Sequence, residues 1–152
     1  FHVKGRPVAR THSLLVPYTE SQSSMRGLEL AFQLARGDKD LRVHAVYVVE
    51  VDRRLPLDSE LPGEFKQGET CLAEADRIAS EYKATCQGDI LQARDAGHAI
   101  VDEAVELGVE MIVMGTTQHA KENKLLDLGK TADYVLRHAP CEVVIVRDGQ
   151  HA

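Results

Sequence analysis

The chain has no tryptophan, and its other aromatic rings number only three Phe and four Tyr among 152 residues, against an apolar fraction of 43%. Its core must therefore be mostly aliphatic, which suits helices packed on a buried sheet better than an aromatic-rich β-sandwich. Cysteine is scarce, odd in number and scattered, at Cys71, Cys86 and Cys141. That spacing offers neither a disulfide framework nor a metal-binding pair, so the thiols are expected to stay reduced, as in a cytosolic protein. No apolar run approaches the ~20 residues of a membrane span, and no secretory signal pattern occurs. Positive charge is in deficit, with 18 basic against 24 acidic residues and a net charge of −6. Such a surface argues against non-specific nucleic-acid binding, which depends on neutralising phosphates. A Gly-x-Ser-x-Gly elbow and a Ser-His-Asp order are also missing, so nucleophilic catalysis has no support and no enzyme is expected.

A chain of this length has the size of one ordinary domain and can bury roughly 68–70% of its unfolded surface. Five apolar runs stand out: "HSLLVPY" (12–18), "RVHAVYVVEV" (42–51), "GDILQAR" (88–94), "VEMIVMG" (109–115) and "CEVVIVR" (141–147). The second, fourth and fifth lack polar alternation, as strands covered on both faces of a parallel sheet do. Helical patterns separate them. In 21–36 Met25, Leu28, Phe32 and Ala35 form one stripe that Gly37 stops. Leu72, Ala75, Ile78, Ala79 and Tyr82 form another, and Ile100, Val101, Ala104 and Val105 a third, with Asp95 as N-cap and Gly108 as terminator. A last helix closes before Pro140. The stretch 52–68, with two prolines and mixed charge, is expected to be a loop.

This alternation of strands and helices predicts a three-layer α/β/α, Rossmann-like domain with a five-stranded, mostly parallel sheet over 11–148, followed by a short tail at 149–152. Residues 1–10 carry Lys4, Arg6 and Arg10 and no acid. Two readings stand for this basic arm: a flexible extension, or a cytoplasmic tether after an upstream membrane domain, since basic residues flank spans on that side. Ligands of such sheets bind beyond the carboxyl ends of the strands, where the strand order reverses. The turn after the first strand, "VPYTES", and the segment "MGTTQHAKENKLLDLGKT" would meet there.

Within that segment Gly129-Lys130-Thr131 looks like the tail of a phosphate-binding P-loop. The P-loop needs a glycine five residues before the second one, and that position is Lys124. It also needs a strand running directly into the loop, so the P-loop reading fails.

With "LLVPYTES", "IVMGTT" and "LLDLGKTADYVLRHAPCEVVIVR" in this order, the chain resembles the universal stress protein family over about 11–147. The resemblance implies a five-stranded parallel sheet and a homodimer formed through the last strand, 141–147. It also implies ATP or AMP binding by a loop spelled Gly, two residues, Gly, nine residues, Gly-Ser or Gly-Thr. Carried over residue by residue, the nucleotide contacts fall on Pro17, Tyr18, Thr19, Val48, Met114, Gly115, Gln118, Gly129, Lys130 and Thr131. The chain departs from the pattern in four places. Gln118 stands two residues after Gly115, where the middle glycine belongs, but ten residues follow it before Gly129; taking His119 instead restores nine and lengthens the first gap to three. Lys130 stands where a small hydroxyl residue is usual, although Thr131 follows. Thr19 replaces an aspartate, and Tyr18 is bulky. Glycines in such loops let backbone N–H groups approach phosphate without a Cβ in the way. A helix start at Gly129 with Lys121, Lys124 and Lys130 nearby still favours an anion.

Other candidates have simpler explanations. His138 near a helix end is favoured by the dipole, and His98 after Asp95 suits capping, while His12 and His44 pack in or beside strands. His119 is the one histidine beside the expected site. Glu50 and Asp52 read as a solvated turn before Arg53 and Arg54, and Cys141 as a small packed residue. No metal is expected beyond a magnesium ion accompanying a nucleotide.

Two functional readings follow from different classes. One is a cytoplasmic, homodimeric stress-response or regulatory module that senses an adenine nucleotide through 115–131. The other is a regulatory domain attached to a membrane transporter with no nucleotide bound, suggested by the basic start and by "VVEVDRRLPLD", which is similar to domains fused to amino-acid permeases. Weak ATP hydrolysis at the same loop is a third, lesser reading.

Overall fold

The computed structural model describes residues 13–18, 22–117 and 129–148. In chain order the elements are β1 (Ser13–Pro17), α1 (Gln22–Ala35), β2 (Arg42–Glu50), α2 (Pro62–Glu81), β3 (Cys86–Ala93), α3 (Ala96–Leu107), β4 (Met111–Thr117), α4 (Gly129–His138) and β5 (Glu142–Asp148). The strands form one sheet in the order β3-β2-β1-β4-β5, and every registered pair is parallel.

Strand alternation divides the aliphatic residues between two cores. Leu14, Val16, Val43, Ala45 and Val113 point to the side covered by α1 and α2, where Leu28, Phe32, Cys71, Ala75 and Ile78 meet them. Leu15, Val46, Ile112 and Met114 point to the opposite side, against Ile100, Val101 and Ala104 of α3 and Ala132 and Val135 of α4. Both faces of the central strands are therefore buried, which is why their sequences lack polar alternation. Truncating one of the fully buried aliphatics, such as Leu15, removes about 2–5 kcal/mol by the usual cavity and transfer terms.

The helix ends follow local chemistry. The Asp95 side chain accepts the His98 N–H as N-cap of α3, and Gly108, at φ 64°, ends that helix in the left-handed conformation. The expected loop at 52–68 is shorter than predicted, because α2 already starts at Pro62. A proline in the first turn loses no helical hydrogen bond, since its N–H would have no intrahelical partner there. Gly63 beside it would meet nothing if it carried a Cβ, so neither residue breaks the helix. The remaining segment is tied to the end of β3. Arg94 Nη1 donates to the carbonyls of Asp52 (2.7 Å) and Leu55 (2.8 Å), and Gln92 Nε2 donates to those of Leu57 and Ser59 (both 3.0 Å). Strand β3 likewise begins earlier than expected, at Cys86, in register with Val43 of β2.

One feature of the sheet positions the site. β1 and β4 are in register only at Leu14 with Met111 and Leu15 with Ile112, whereas β4 stays paired with β5 through Thr117. Beyond Leu15 the two central strands part. Pro17 has no N–H to offer, and Tyr18 donates its N–H to Val46 on the β2 side at 2.8 Å. A crevice opens at the carboxyl edge where the strand order reverses.

Candidate functional site

The crevice is a cleft of about 240 Å³. Val46 and Val48 of β2, Met114 of β4 and Ile100 of α3 make it apolar, and Pro17 and Tyr18 border it from the end of β1. Ser24, Ala96, Gly115 and Thr131 complete the described wall. Its volume lies below that of small-molecule pockets, which start at roughly 300 Å³. An apolar slot with hydroxyls at its margin suits a flat ring with polar edges.

Gly115 has a packing reason that is independent of any ligand. It lies inside β4, paired with Val146, and the strand runs on through Thr117 beyond the apolar run 109–115. A Cβ placed on it would lie 1.7 Å from the Ser23 carbonyl oxygen of α1, and a Cβ on Gly27 would lie 3.1 Å from the Gly115 nitrogen. The missing side chains let α1 lie directly on β4. Tyr18 likewise sends its bulk into the core, at 1% exposure, which leaves the cleft open.

Two helix N-termini converge on the cleft, and at the start of α3 two N–H groups are already engaged. The Ala96 N–H at the start of α3 donates to Glu50 Oε2 at 2.8 Å, and the His98 N–H donates to Asp95 Oδ1 at 3.1 Å. The His98 ring approaches the same Oδ1 through Nδ1 at 2.9 Å. The other oxygen of Asp95 lies 3.6 Å from Lys130 Nζ on α4. These contacts, the His98 side chain first, hold the Asp95 carboxyl down at about 2. Gly129 opens α4 at φ 85°, where a side chain is strained. Behind this corner Tyr134 of α4 sits between two imidazoles, with centroids 4.0 Å from His98 and 4.0 Å from His138. His138 also sets its Nδ1 2.9 Å from the Tyr134 carbonyl, so α3 and α4 are joined by a ring stack as well as by aliphatic packing.

Of the residues expected to contact a nucleotide, Pro17, Tyr18, Val48, Met114, Gly115 and Thr131 line the one cleft. Gly129 and Lys130 open α4 beside it. Thr19, Gln118 and His119 lie outside the described residues, as do Lys121 and Lys124. Sequence reasoning missed Ser24, Val46, Ala96 and Ile100, whose aliphatic and small side chains resemble those of any core position. It also took Glu50 for a solvated turn residue, whereas Glu50 caps α3; Asp52 does pair in the open with Arg54, at 3.0 Å. Among the described residues no group of three or more His, Cys, Asp or Glu could hold a metal ion, and no helix is long and apolar enough to cross a membrane.

A family model described as the Universal stress protein family matches residues 11–147. Among solved structures, the universal stress protein UspA from Lactobacillus plantarum superposes with a TM-score of 0.72 at 21% identity, covering 91% of this chain and 99% of that one. The universal stress protein from Archaeoglobus fulgidus in complex with dAMP gives a TM-score of 0.68 at 19% identity, covering 90% of this chain and 98% of the other. Among curated proteins, the Na(+)/H(+) antiporter NhaS5 of Synechocystis sp. is 26% identical over 144 residues. That match takes in 93% of this chain and 20% of the antiporter, so the chain spans about a fifth of that relative's length.

Proposed function

Because the chain belongs to the universal stress protein family, we propose that it is a regulatory module that binds an adenine nucleotide in the cleft between β1 and β4 and does not turn it over. The observation that carries this reading is the cleft itself. At the reversal of strand order it combines an apolar slot of Val46, Val48, Ile100 and Met114 with the glycine-started N-terminus of α4. The slot suits a purine, and the helix N-terminus with Lys130 suits its phosphate. The dAMP complex of the archaeal structural relative supports the same ligand class. Nucleotide would report to a second copy of the chain through β5, an edge strand of the described sheet whose Val143, Val144, Ile145 and Val146 are only half-buried. In this reading the module works in the cytoplasm.

Isothermal calorimetry of the folded chain with AMP and ATP tests the ligand. We expect heat that saturates in the micromolar range; no heat at high micromolar ligand overturns the reading. In the variant Gly129→Val a β-branched residue is forced to a positive φ, which must reshape the first turn of α4. AMP affinity should fall roughly tenfold or more.

The antiporter relative favours a second placement for the same module, as a cytoplasmic regulatory domain covalently attached to a membrane transporter. The reading frame upstream of Phe1 decides this: a series of apolar segments of ~20 residues supports attachment, and a start codon close by removes it.

A further inference from the structure

On the nucleotide reading above, we infer that Glu50 is a positioning residue for the cleft: by holding the Ala96 N–H it fixes the start of α3 as one wall, and so limits the slot to a flat ring no broader than an unsubstituted purine.

Glu50 does not itself line the cleft, but the residue it holds does. Alternation along β2 puts Val46, Val48 and Glu50 on one face of the sheet. Val46 and Val48 line the slot, and Glu50, the last residue of the strand, reaches beyond them to the Ala96 N–H with Oε2 at 2.8 Å. The carboxylate stands on a fixed base. β2 and β3 stay in register up to Glu50 with Ala93, and the Val51 N–H donates to the Ala93 carbonyl at 2.8 Å. Arg94 Nη1 then holds the carbonyls of Asp52 and Leu55.

The two hydrogen bonds at the start of α3 have different effects. Asp95 bonds the His98 N–H within the first turn, so it orders the helix without placing it on the sheet. Glu50 comes from another element, 46 residues away in sequence, and ties that turn to β2. The other side of the turn is set by close packing. A Cβ on Gly97 would lie 3.0 Å from Tyr134 Cβ and 3.1 Å from its Cδ1, so α4 rests directly on this part of α3. Thr131, one turn before Tyr134, lines the cleft together with Ala96. The start of α3 is thus held between Glu50 and α4, and the cleft widens on this side only if Ala96 leaves Glu50. In a space of about 240 Å³ the position of one wall decides which ring fits.

Glu50→Ala removes the acceptor, whereas Glu50→Gln keeps an acceptor without the charge. Two probes are titrated by calorimetry into the 152-residue chain: adenosine, and ethenoadenosine, whose extra fused ring makes the base broader. The unmodified chain should prefer adenosine. In Glu50→Ala the ratio of adenosine to ethenoadenosine affinity should fall about fivefold, the equivalent of one hydrogen bond, and Glu50→Gln should restore it. A loss of fold stability weakens both probes alike, so an unchanged ratio in Glu50→Ala overturns the inference. A ratio as low in Glu50→Gln as in Glu50→Ala also overturns it, because the charge and not the acceptor would then be at work. Hydrogen exchange of the Ala96 amide, followed by NMR without ligand, tests the contact by itself. Protection should be lost in Glu50→Ala and kept in Glu50→Gln; equal exchange in all three chains overturns the inference whatever binds. If the unmodified chain binds neither probe, the nucleotide reading falls and the limit on ring size with it, even where Ala96 exchanges as expected.

Discussion

Gly115 shows how a single hydrogen in place of a side chain can serve two ends. It lines the cleft, and it also lets the Ser23 carbonyl of α1 come to where a Cβ would be, 1.7 Å away. Backbone atoms on both sides leave no rotamer by which the strain could relax. Gly115→Ala should therefore destabilise the fold by about 3 kcal/mol or more, and lower the melting temperature by roughly 10 °C in a calorimetric scan. Gly63→Ala is the contrasting case. A methyl there meets nothing within 4 Å and falls in the first turn of α2, so the change should be neutral or slightly stabilising. Loss of nucleotide binding by a Gly115 variant would therefore say nothing about phosphate contact unless the variant is shown to be folded. Gly129 carries the cleaner test, because a Cβ there meets none of the described atoms and only its positive φ resists substitution.

At the scale of elements, α3 is anchored at both ends. Asp95 and Glu50 bond its first N–H groups, Gly108 ends it, and Tyr134 with its two flanking histidines fastens it to α4. The Asp95 cap has a pH signature. Its carboxyl is lowered from 3.8 to about 2 in the folded chain, so its stabilising effect is fully present above about pH 4. The effect is lost as the pH falls toward 2, where the folded-state carboxyl protonates. Asp52 and Glu74 are lowered by their arginine partners as well, so acid unfolding is shared among several groups. The Asp95 part is isolated by comparison. The stability difference between the unmodified chain and Asp95→Asn, read from urea unfolding, should narrow between pH 4 and pH 2. A difference that stays constant down to pH 2 would show that the cap contributes no charge-dependent stability.

For the whole molecule, the open question is what covers β5. Val144 and Val146 are partly packed against one core and Val143 and Ile145 against the other, yet the strand has no neighbour beyond β4 in the described sheet. An edge of that length and character invites pairing unless charge or proline interrupts it. We expect sedimentation velocity to give the mass of a dimer, and Val144→Lys with Val146→Lys to give a folded monomer. A monomeric unmodified chain at tens of micromolar would remove the two-fold reading. The same edge would be free for a homotypic contact if the domain hung from a transporter, so a dimer would not decide between the two proposed placements.

What could be read from the sequence was whatever depends on neighbours along the chain. Unbroken Val, Ile and Met runs marked buried parallel strands, and Asp95 and Gly108 marked the ends of α3. "GKTADYVLRH" marked the start of the last helix, because capping, stripe periodicity and φ preference are local properties. The prolines misled at 52–68, since a proline breaks a helix or begins one depending on whether the next turn finds a core to pack on, and Gly68, Cys71 and Ala75 find one. The parting of β1 from β4, the close contact of α1 with Gly115 and the meeting of Asp95 with Lys130 were decided by the tertiary structure alone. Each joins residues far apart in the chain, and their separation in space depends on which strand lies beside which and which face each helix covers. Gly129-Lys130-Thr131 was therefore recognisable as a helix start from its sequence, but the anion that already sits in front of its lysine was not.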